Sequence, residues 1–215
     1  MSKTLTEEYW SRFPDTYDRN QEYVAGRLLL DAIKQELNRL PDLGELVELG
    51  CGTGYFTEII AVRAEQTVAT DLSDILLDRA GKRISRVPNV KIQREDGMAT
   101  SFAAATFDSV FMANLIHVVE HPGIVLQECH RILKDNGLLV IVTFTGHGMN
   151  VWEKLKMGMR FAKVWGRPPA HTNSFSPDDL AEMMENAGFR MEISKLIGRR
   201  TRALFAVGRK ANGRA

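Results

Sequence analysis

The sequence is poor in the features that would tie it to a special environment. It has only two cysteines in 215 residues, Cys51 and Cys129, far apart and in no metal-type pairing. A disulfide framework is therefore not expected, and two isolated thiols fit a reducing cytoplasm. Its longest apolar run, around 138–144, is far too short to cross a bilayer. The first eight residues contain no apolar core, so we expect no signal peptide and a cytoplasmic protein.

An excess of charge of either sign is also missing. The chain has 28 Lys and Arg against 27 Asp and Glu, a formal net charge of +1. Without a global basic field we expect no nucleic-acid partner. The 44% hydrophobic residues are enough for a substantial core. A length of 215 residues favours one large domain with appendages over two domains.

The order of predicted elements indicates an α/β fold. Helices are predicted over 4–13 and 20–40, on either side of Pro14, and strands and helices alternate from residue 45 onward. The predicted strands are 45–49, 66–71, 89–95, 107–113, 137–144, 189–197 and 201–209. The predicted helices among them are 55–64, 74–86, 122–134, 149–167 and 177–186. Continuous apolar strands in this alternation predict a parallel sheet covered on both faces, with ligands bound beyond the carboxyl ends of its strands.

The most informative stretch runs from Val47 to Thr57, with the sequence VELGCGTGYFT. A buried strand, a glycine-rich turn and a helix follow each other directly, which is typical of a nucleotide-cofactor cradle. A dinucleotide fingerprint would place its third glycine at position 55, where Tyr55 stands instead. The pattern of Glu48 followed by Gly50, Gly52 and Gly54 resembles motif I of the class I S-adenosylmethionine-dependent methyltransferases.

Other segments extend this resemblance over about residues 15–210. The segment 107–119 resembles motif IV of the small-molecule branch, which includes the ubiquinone- and menaquinone-biosynthesis methyltransferases. The segment 126–139 resembles the helix–turn–strand signature of the family, and 15–18 resembles the Tyr-Asp segment that precedes motif I. The family's Asn/Asp-Pro-Pro-Tyr box, found in nucleic-acid amino methyltransferases, is absent after Asn114.

The resemblance implies a fold, a domain organisation and a cofactor. The fold is Rossmann-like: a seven-stranded, mostly parallel sheet with helices on both faces and an antiparallel last strand. The implied organisation is an N-terminal helical cap (1–44), a methyltransferase domain (45–210) with an insertion over the acceptor site (145–176), and a disordered tail (211–215). The cofactor is S-adenosyl-L-methionine, and the product is S-adenosyl-L-homocysteine.

The same resemblance assigns roles to particular residues. An aromatic ring closes over the cofactor at Tyr17, and the motif I positions are Glu48, Gly50, Cys51, Gly52 and Gly54. The adenine group is flanked by Leu72 and read by Asp96, Gly97 and Met98, while the backbone carbonyl of Asn114 receives the cofactor's amino group. Each assignment has a plain structural alternative, such as a half-buried tyrosine in a helix connection or a turn acid in solvent.

Asp71 is the assignment with independent support from the residues. It ends the predicted strand 66–71 and lies 17 residues beyond Gly54. A carboxylate at this strand end can accept hydrogen bonds from both ribose hydroxyls of an adenosine cofactor. The alternative is a turn or helix-capping aspartate, although Ser73 and Asp74 already offer caps for the next helix.

His117 is the candidate catalytic residue, as a general base acting on a hydroxyl, thiol or amine. A histidine held by backbone groups at the pocket rim is the alternative. The segment 117–121 also spells HVVEH, an inverted zinc-protease pattern. That pattern needs a helix, and Pro122 disfavours helix in the residue before it. We therefore predict no metal.

The segment 150–167 carries Lys156, Arg160, Lys163 and Arg167 on one helical ridge and apolar residues on another. Such a helix can contact an anionic membrane peripherally or cover a lipid-like substrate. Alternatively it simply packs its apolar side on the core, with its basic side solvated.

These observations together predict methyl transfer from S-adenosylmethionine to a small, apolar or lipid-like acceptor. Direct in-line transfer is expected, with positioning in a dry pocket doing most of the work. The accepting atom (O, N, S or C) and the oligomeric state stay open. The alternatives are a non-catalytic scaffold that keeps the cofactor fold and a nicotinamide-dependent oxidoreductase.

Overall fold

The computed structural model describes residues 5–169 and 172–211. Apart from Ala211, the tail predicted to be disordered lies outside these described residues. No helix in this part of the chain is both long and apolar enough to cross a membrane.

The centre of the fold is one seven-stranded sheet with the order β3-β2-β1-β4-β5-β7-β6. Strands β1 to β5 pair in parallel, whereas β7 is inserted antiparallel between β5 and β6. The predicted mostly parallel sheet with an antiparallel last strand is therefore confirmed. The strands are β1 Glu45–Leu49, β2 Gln66–Asp71, β3 Val90–Arg94, β4 Phe107–Ala113, β5 Leu133–Thr145, β6 Phe189–Ile197 and β7 Arg202–Lys210.

Helices cover both faces of the sheet. They are α1 Leu5–Trp10, α2 Tyr17–Ala25, α3 Arg27–Leu37, α4 Thr57–Ile60, α5 Asp74–Ile84, α6 Pro122–Ile132, α7 Val151–Trp165 and α8 Pro177–Asn186, with a 3-10 turn over Ala61–Arg63. One apolar layer joins α3 to one face of the central strands, and a second joins α6 and α8 to the other face. Burial on both faces explains why the central strands are almost continuously apolar.

The topology sets the position of a ligand crevice. From β1 the chain moves outward through β2 to β3, then returns to place β4 on the other side of β1. The strand order reverses there, and the carboxyl ends of β1, β2 and β4 open toward the same edge. Open α/β sheets bind ligands at this switch point.

The structure differs from the sequence-based prediction at three elements. The predicted helix 20–40 is broken at Gly26, which has φ 84° and separates α2 from α3. The helix predicted over 55–64 shortens to one α-helical turn followed by a 3-10 turn. Strand β5 begins earlier than predicted and contains an irregularity, since Phe107 pairs with Leu133 whereas Ser109 pairs with Leu138.

Candidate active site

The glycine-rich turn after β1 is fixed by hydrogen bonds to the end of β2. Gly50, Gly52 and Gly54 all have positive φ, at 74°, 56° and 77°, a backbone conformation that glycine adopts without steric cost. The amide of Gly52 donates to Asp71 Oδ2 at 2.9 Å, and the amide of Ser73 donates to Asp71 Oδ1 at 2.9 Å. Asp71 therefore ties the turn to the loop that leads into α5.

A cleft of about 170 Å³ opens at this corner of the sheet. Nine of the twelve residues predicted to bind the cofactor line it, and they come from five separate segments. They are Tyr17, Gly50, Gly52, Asp71, Leu72, Asp96, Gly97, Met98 and Asn114. The structure thus brings together residues that are as much as 97 positions apart in the chain.

The charge of the cleft is one-sided. Its lining includes the carboxyl groups of Glu7, Asp71, Glu95, Asp96 and Glu120. No Lys or Arg is among the described residues that line it. A ligand with cationic groups and hydroxyl donors suits such a cleft, whereas a pyrophosphate would meet like charge.

Tyr17 is held over the cleft by its neighbour in sequence. Asp18 accepts a hydrogen bond from Thr53 Oγ1 at 2.5 Å and also pairs with the guanidinium of Arg83. Burial raises the pKa of Tyr17, and the nearby charges of Asp71 and Asp18 raise it further. The hydroxyl is consequently a hydrogen-bond donor at neutral pH, in a ring that contacts both Trp10 and Trp165.

The structure does not place Glu48, Cys51 or Gly54 on the cleft. Glu48 is 1% exposed and accepts a hydrogen bond from Thr57 Oγ1 at 2.6 Å, behind the turn. The amide of Cys51 donates to Thr70 O at 2.8 Å. A Cβ on Gly54 would lie 3.3 Å from Ala80 Cα, so this glycine lets the turn approach α5. These three positions shape the turn without lining the cleft, and their predicted contact with the cofactor stays a prediction.

Glu48 should make stability depend on pH. Burial raises its pKa to about 7, although the hydrogen bond from Thr57 acts in the opposite direction. Since the unfolded carboxyl has a pKa of about 4.3, the folded state retains a proton between these values that the unfolded state has lost. We expect the unfolding free energy to fall by about 2 to 3 kcal/mol between pH 5 and pH 8 through this group.

The measurement is urea unfolding at both pH values for the natural protein and for Glu48→Gln. The variant, which mimics the protonated carboxyl, should lose this part of the pH dependence. An identical dependence in both proteins would contradict the assignment.

Three further acids at the cleft, Glu7, Glu95 and Glu120, were not predicted as cofactor contacts from the sequence. Glu7 belongs to α1, where no motif distinguishes it from other acids in a first helical turn. Glu95 directly precedes Asp96 at the exit of β3, so its proximity to the site was available from the sequence. Its carboxylate accepts from the amide of Ser101 at 2.8 Å and from Gln93 Nε2 at 2.6 Å, which orders this loop.

A second, larger cavity of about 500 Å³ adjoins the cleft. The two share Trp10, Tyr17, Asn114 and Val118 as walls. The remaining lining is mainly apolar and comes from α2, α3, α7, the end of β5, residues 168–169 and residues 172–174. Its members include Val24, Ala25, Leu29, Phe144, Met157, Phe161, Ala162, Trp165 and Pro168.

The orientation of α7 differs from the prediction. Met157, Phe161, Val164 and Trp165 pack inward, in part against Tyr9 and Val24. The apolar face read from the sequence consists of Val151, Leu155, Met159, Ala162 and Trp165. Of these, Trp165 is buried as the packing alternative expects, whereas the other four are exposed. The helix therefore has two apolar stripes, and the sequence pattern did not distinguish which of them faces the core.

His117 lines the apolar cavity, and its hydrogen bond defines its tautomer. His117 Nδ1 lies 2.8 Å from Thr143 Oγ1, and Thr143 is 0% exposed. Within the described chain Thr143 Oγ1 has no other partner. A buried hydroxyl that does not donate costs about 1–3 kcal/mol. The stable arrangement therefore has Thr143 donating to Nδ1, which places the proton of the neutral imidazole on Nε2.

This geometry argues against the predicted role of His117 as a general base. Burial lowers the pKa of His117 to about 4, far from the value near the working pH that suits a base. Its Nδ1 is already an acceptor, and its Nε2 carries a proton. His117 is thus equipped to donate a hydrogen bond from Nε2, not to remove a proton.

A metal site would need several His, Cys, Asp or Glu side chains close together. Among residues 5–169 and 172–211, no group of three or more His, Cys, Asp or Glu side chains could hold a metal ion. The HVVEH segment also lacks the helix its zinc pattern needs, because it forms turns before α6 begins at Pro122.

The residues of the cleft fit the cofactor that the resemblance implies. A Cβ on Gly52 would meet no atom within 4 Å, so the turn leaves open space where a ligand can approach the backbone. Asp71 has its carboxylate at the cleft, where each oxygen accepts one backbone hydrogen bond and has a second lone pair available. The absence of cationic side chains from the described lining suits a sulfonium.

Comparison with known proteins places these features in context. A family model for a methyltransferase domain matches residues 17–193. The malonyl-[acyl-carrier protein] O-methyltransferase of Legionella pneumophila is 30% identical over 173 residues, which are 77% of this chain and 56% of that protein. The demethylmenaquinone methyltransferase of Tropheryma whipplei is 27% identical over 159 residues, 68% of this chain and 66% of that protein. The chain thus spans between about half and two thirds of these relatives' lengths.

A solved structure shows the same fold over almost the whole chain. It is a methyltransferase of Haloferax volcanii in complex with the Trm112 methyltransferase activator, with a TM-score of 0.76 and 16% identity. The match covers 99% of this chain and 100% of that one.

Proposed function

This chain belongs to the methyltransferase domain family, and from that membership we propose that it transfers a methyl group from S-adenosylmethionine to a small, apolar acceptor. Membership of the family supports the class of enzyme and its cofactor, and the acceptor is argued from the cavity. The observation that carries it is the apolar cavity of about 500 Å³ that shares four wall residues with the acidic cleft.

The cleft would hold the cofactor through residues of the sheet edge. Asp71 would accept from the ribose hydroxyls, Leu72 would flank the adenine, and Asp96 to Met98 would contact its edge. The backbone at Gly50 and Gly52 and the carbonyl of Asn114 would surround the methionine part, beneath Tyr17. When bound, S-adenosylmethionine supplies an electrophilic methyl group on a sulfonium.

The cavity would hold the acceptor against the shared wall. Its mainly apolar lining would favour an apolar ligand, and a site of this volume lies within the usual range for small ligands. The inner face of α7 supplies Met157, Phe161 and Trp165, which supports the proposal that the insertion 145–176 shapes the acceptor site. Met157 and the aromatic rings make this wall adaptable to shape.

The polar residues of the cavity, which include the cationic Lys154 and Arg202, would orient the acceptor. His117 Nε2 would donate to an oxygen of the acceptor, and Gln21 also lines the cavity. Since His117 is not built to remove a proton, the accepting atom should be nucleophilic without it, as in a carboxylate or an acidic hydroxyl. The two relatives are named for different acceptors, so their names do not decide between candidates.

The remaining alternatives make different demands on the site. A nicotinamide oxidoreductase would have to place a pyrophosphate beside the acids of the cleft, which disfavours it electrostatically. A non-catalytic scaffold could bind S-adenosylmethionine without turnover. A cytoplasmic location is also part of the proposal.

The test is a screen with methyl-labelled S-adenosylmethionine against small apolar carboxylates, phenols, thiols and amines. Label transfer to an apolar oxygen acceptor would support the proposal, and an Asp71→Ala protein serves as the blank. Tight cofactor binding without transfer to any compound would favour the scaffold. Transfer confined to charged, polar acceptors would contradict the apolar site.

The role of His117 leads to a graded prediction. Gln can place an amide N–H close to the position of Nε2, whereas Ala removes the donor. We expect His117→Gln to keep most of the turnover and His117→Ala to lose about tenfold or more, because a hydrogen bond is worth about 1–1.5 kcal/mol. Cofactor affinity should not change in either variant.

The pH profile provides the independent check. With a pKa of about 4, His117 stays neutral from pH 6 to pH 9, so its loss should leave the shape of the kcat/KM profile unchanged in that range. His117 would be the general base if His117→Gln and His117→Ala were equally inactive and if both variants lost a limb of the kcat/KM profile near neutral pH.

A further inference from the structure

The outer surface of α7 has a feature that the acceptor cavity does not use. Four large apolar side chains are exposed there: Val151 at 78%, Trp152 at 71%, Leu155 at 50% and Met159 at 56%. At 3.6 residues per turn they form one stripe along the helix. Contiguous exposed apolar surface of this kind marks an interaction site, since isolated exposed apolar residues would be scattered.

A basic stripe runs beside this apolar stripe. Lys156, Arg160 and Lys163 are exposed on the same helix. Lys156 and Arg160 form no ion pair within residues 5–169 and 172–211, and Lys163 lies over the ring of Tyr23. The one acid of the helix, Glu153, is engaged in the capping box with Asn150. The outer surface therefore presents apolar and cationic groups together.

We infer that α7 docks on an anionic lipid surface, with Trp152, Leu155 and Met159 at the acyl boundary and the basic stripe at the headgroups. Amphipathic helices with tryptophan and leucine beside lysine and arginine bind membrane interfaces in this way. A second copy of the chain suits the stripe less well, because two-fold packing would bring the flanking cations of both copies together.

The position of the cavity also favours a lipid surface over an acidic protein. Lys154, Gly158 and Ala162 line the cavity and are exposed as well. The cavity wall thus reaches the surface along α7, next to the apolar stripe. An apolar acceptor leaving a bilayer would reach the cavity by crossing one edge of this helix. The passage of an acceptor from the bilayer to the cavity rests on the proposed function, whereas the docking of α7 on lipid does not.

The experiment is co-sedimentation of the full chain with phosphatidylglycerol-containing vesicles and with neutral phosphatidylcholine vesicles, without cofactor or acceptor. We expect salt-sensitive binding to the anionic vesicles only. Removing two basic residues in Lys156→Ala/Arg160→Ala should weaken partitioning by roughly thirtyfold, since each contributes by its attraction to anionic lipid. Trp152→Glu should abolish it.

Matched controls separate docking from a general effect of charge or polarity. Arg86 and Lys91 are exposed on the β3 side of the sheet, and Arg86→Ala/Lys91→Ala changes the charge equally. Val62 is as exposed as Trp152, at 71%, and Val62→Glu matches Trp152→Glu. Both controls should bind vesicles like the natural protein.

Tryptophan fluorescence gives a readout of direct contact. Of the three tryptophans, Trp152 is exposed while Trp10 and Trp165 lie in the aromatic cluster. Anionic vesicles should shift the emission to the blue, and Trp152→Phe should remove this shift while binding persists.

The proposal is overturned if the natural protein does not bind anionic vesicles, or if the control variants lose as much binding as the α7 variants. A concentration-dependent dimer that Trp152→Glu disrupts, without vesicle binding, would overturn it in favour of a second copy. Since no turnover is measured, these outcomes are independent of methyl transfer.

Discussion

Asp71→Ala is expected to weaken the binding of S-adenosylmethionine by at least about 100-fold, measured by isothermal titration calorimetry. Hydrogen bonds to a charged group contribute about 1.5–3 kcal/mol each, and two ribose hydroxyls would lose theirs. The same change removes the acceptor for the amides of Gly52 and Ser73. The turn would then lose its tie to β2 in addition to the ligand contact.

Asp74 provides the control for charge. It lies three residues further along and is exposed, and it does not line the cleft. Asp74→Ala changes the net charge by the same amount and should leave the affinity unchanged. Circular dichroism should show both variants folded. If Asp71→Ala bound the cofactor within about threefold of the natural protein, Asp71 would not be the ribose ligand.

Gly198→Ala is expected to cost about 3 kcal/mol or more of unfolding free energy, measured by urea denaturation. This glycine begins the connection between β6 and β7 and has φ 91°. An added Cβ would lie 2.3 Å from Thr201 O and 2.8 Å from Leu29 Cδ1. The first of these is backbone, so the hairpin would have to move to relieve the clash. Because Thr201 and Arg202 line the acceptor cavity, the damage should reach that cavity.

Gly26 separates the effect of the clash from that of the backbone conformation. It also has a positive φ, of 84°, but a Cβ there would meet nothing within 4 Å. Gly26→Ala should cost only the conformational strain, about 1–3 kcal/mol. Equal losses for the two variants would show that the contact with Thr201 does not matter.

Much of the fold could be predicted because local and global preferences agree along the sheet. Strands β1, β2, β4 and β6 have the predicted bounds, since each is closed by a glycine or a polar turn. Gly26 shows where this reasoning failed. Its neighbours on both sides are good helix formers, so a single glycine did not predict that the chain would turn between two helices.

The cofactor cleft could be predicted further than the acceptor cavity. Asp71, Asp96 and Asn114 each follow a strand, and the carboxyl ends of parallel strands meet at one edge, so their convergence follows from the topology. Glu48 does not line the cleft, and sequence proximity to the glycine turn does not reveal which side of the strand faces the ligand. Its place behind the turn depends on Thr57, nine residues further along.

The acceptor cavity depends on tertiary contacts that no local pattern encodes. Two apolar stripes on α7 were equally able to pack, and the contact between Tyr9 Oη and Trp165 O at 2.8 Å involves residues 156 positions apart. The tautomer of His117 also depends on tertiary contacts, because it follows from the lack of another hydrogen-bond partner for the Thr143 hydroxyl. Such facts appear only when the chain is folded.

The most direct test of the central claim is a crystal structure with S-adenosylhomocysteine bound. We expect the nucleoside in the cleft at the carboxyl ends of β1 and β2, with a ribose hydroxyl within hydrogen-bond distance of Asp71 and the sulfur facing the shared wall at Tyr17 and Asn114. A ligand bound elsewhere, or one with its sulfur turned away from the apolar cavity, would contradict it.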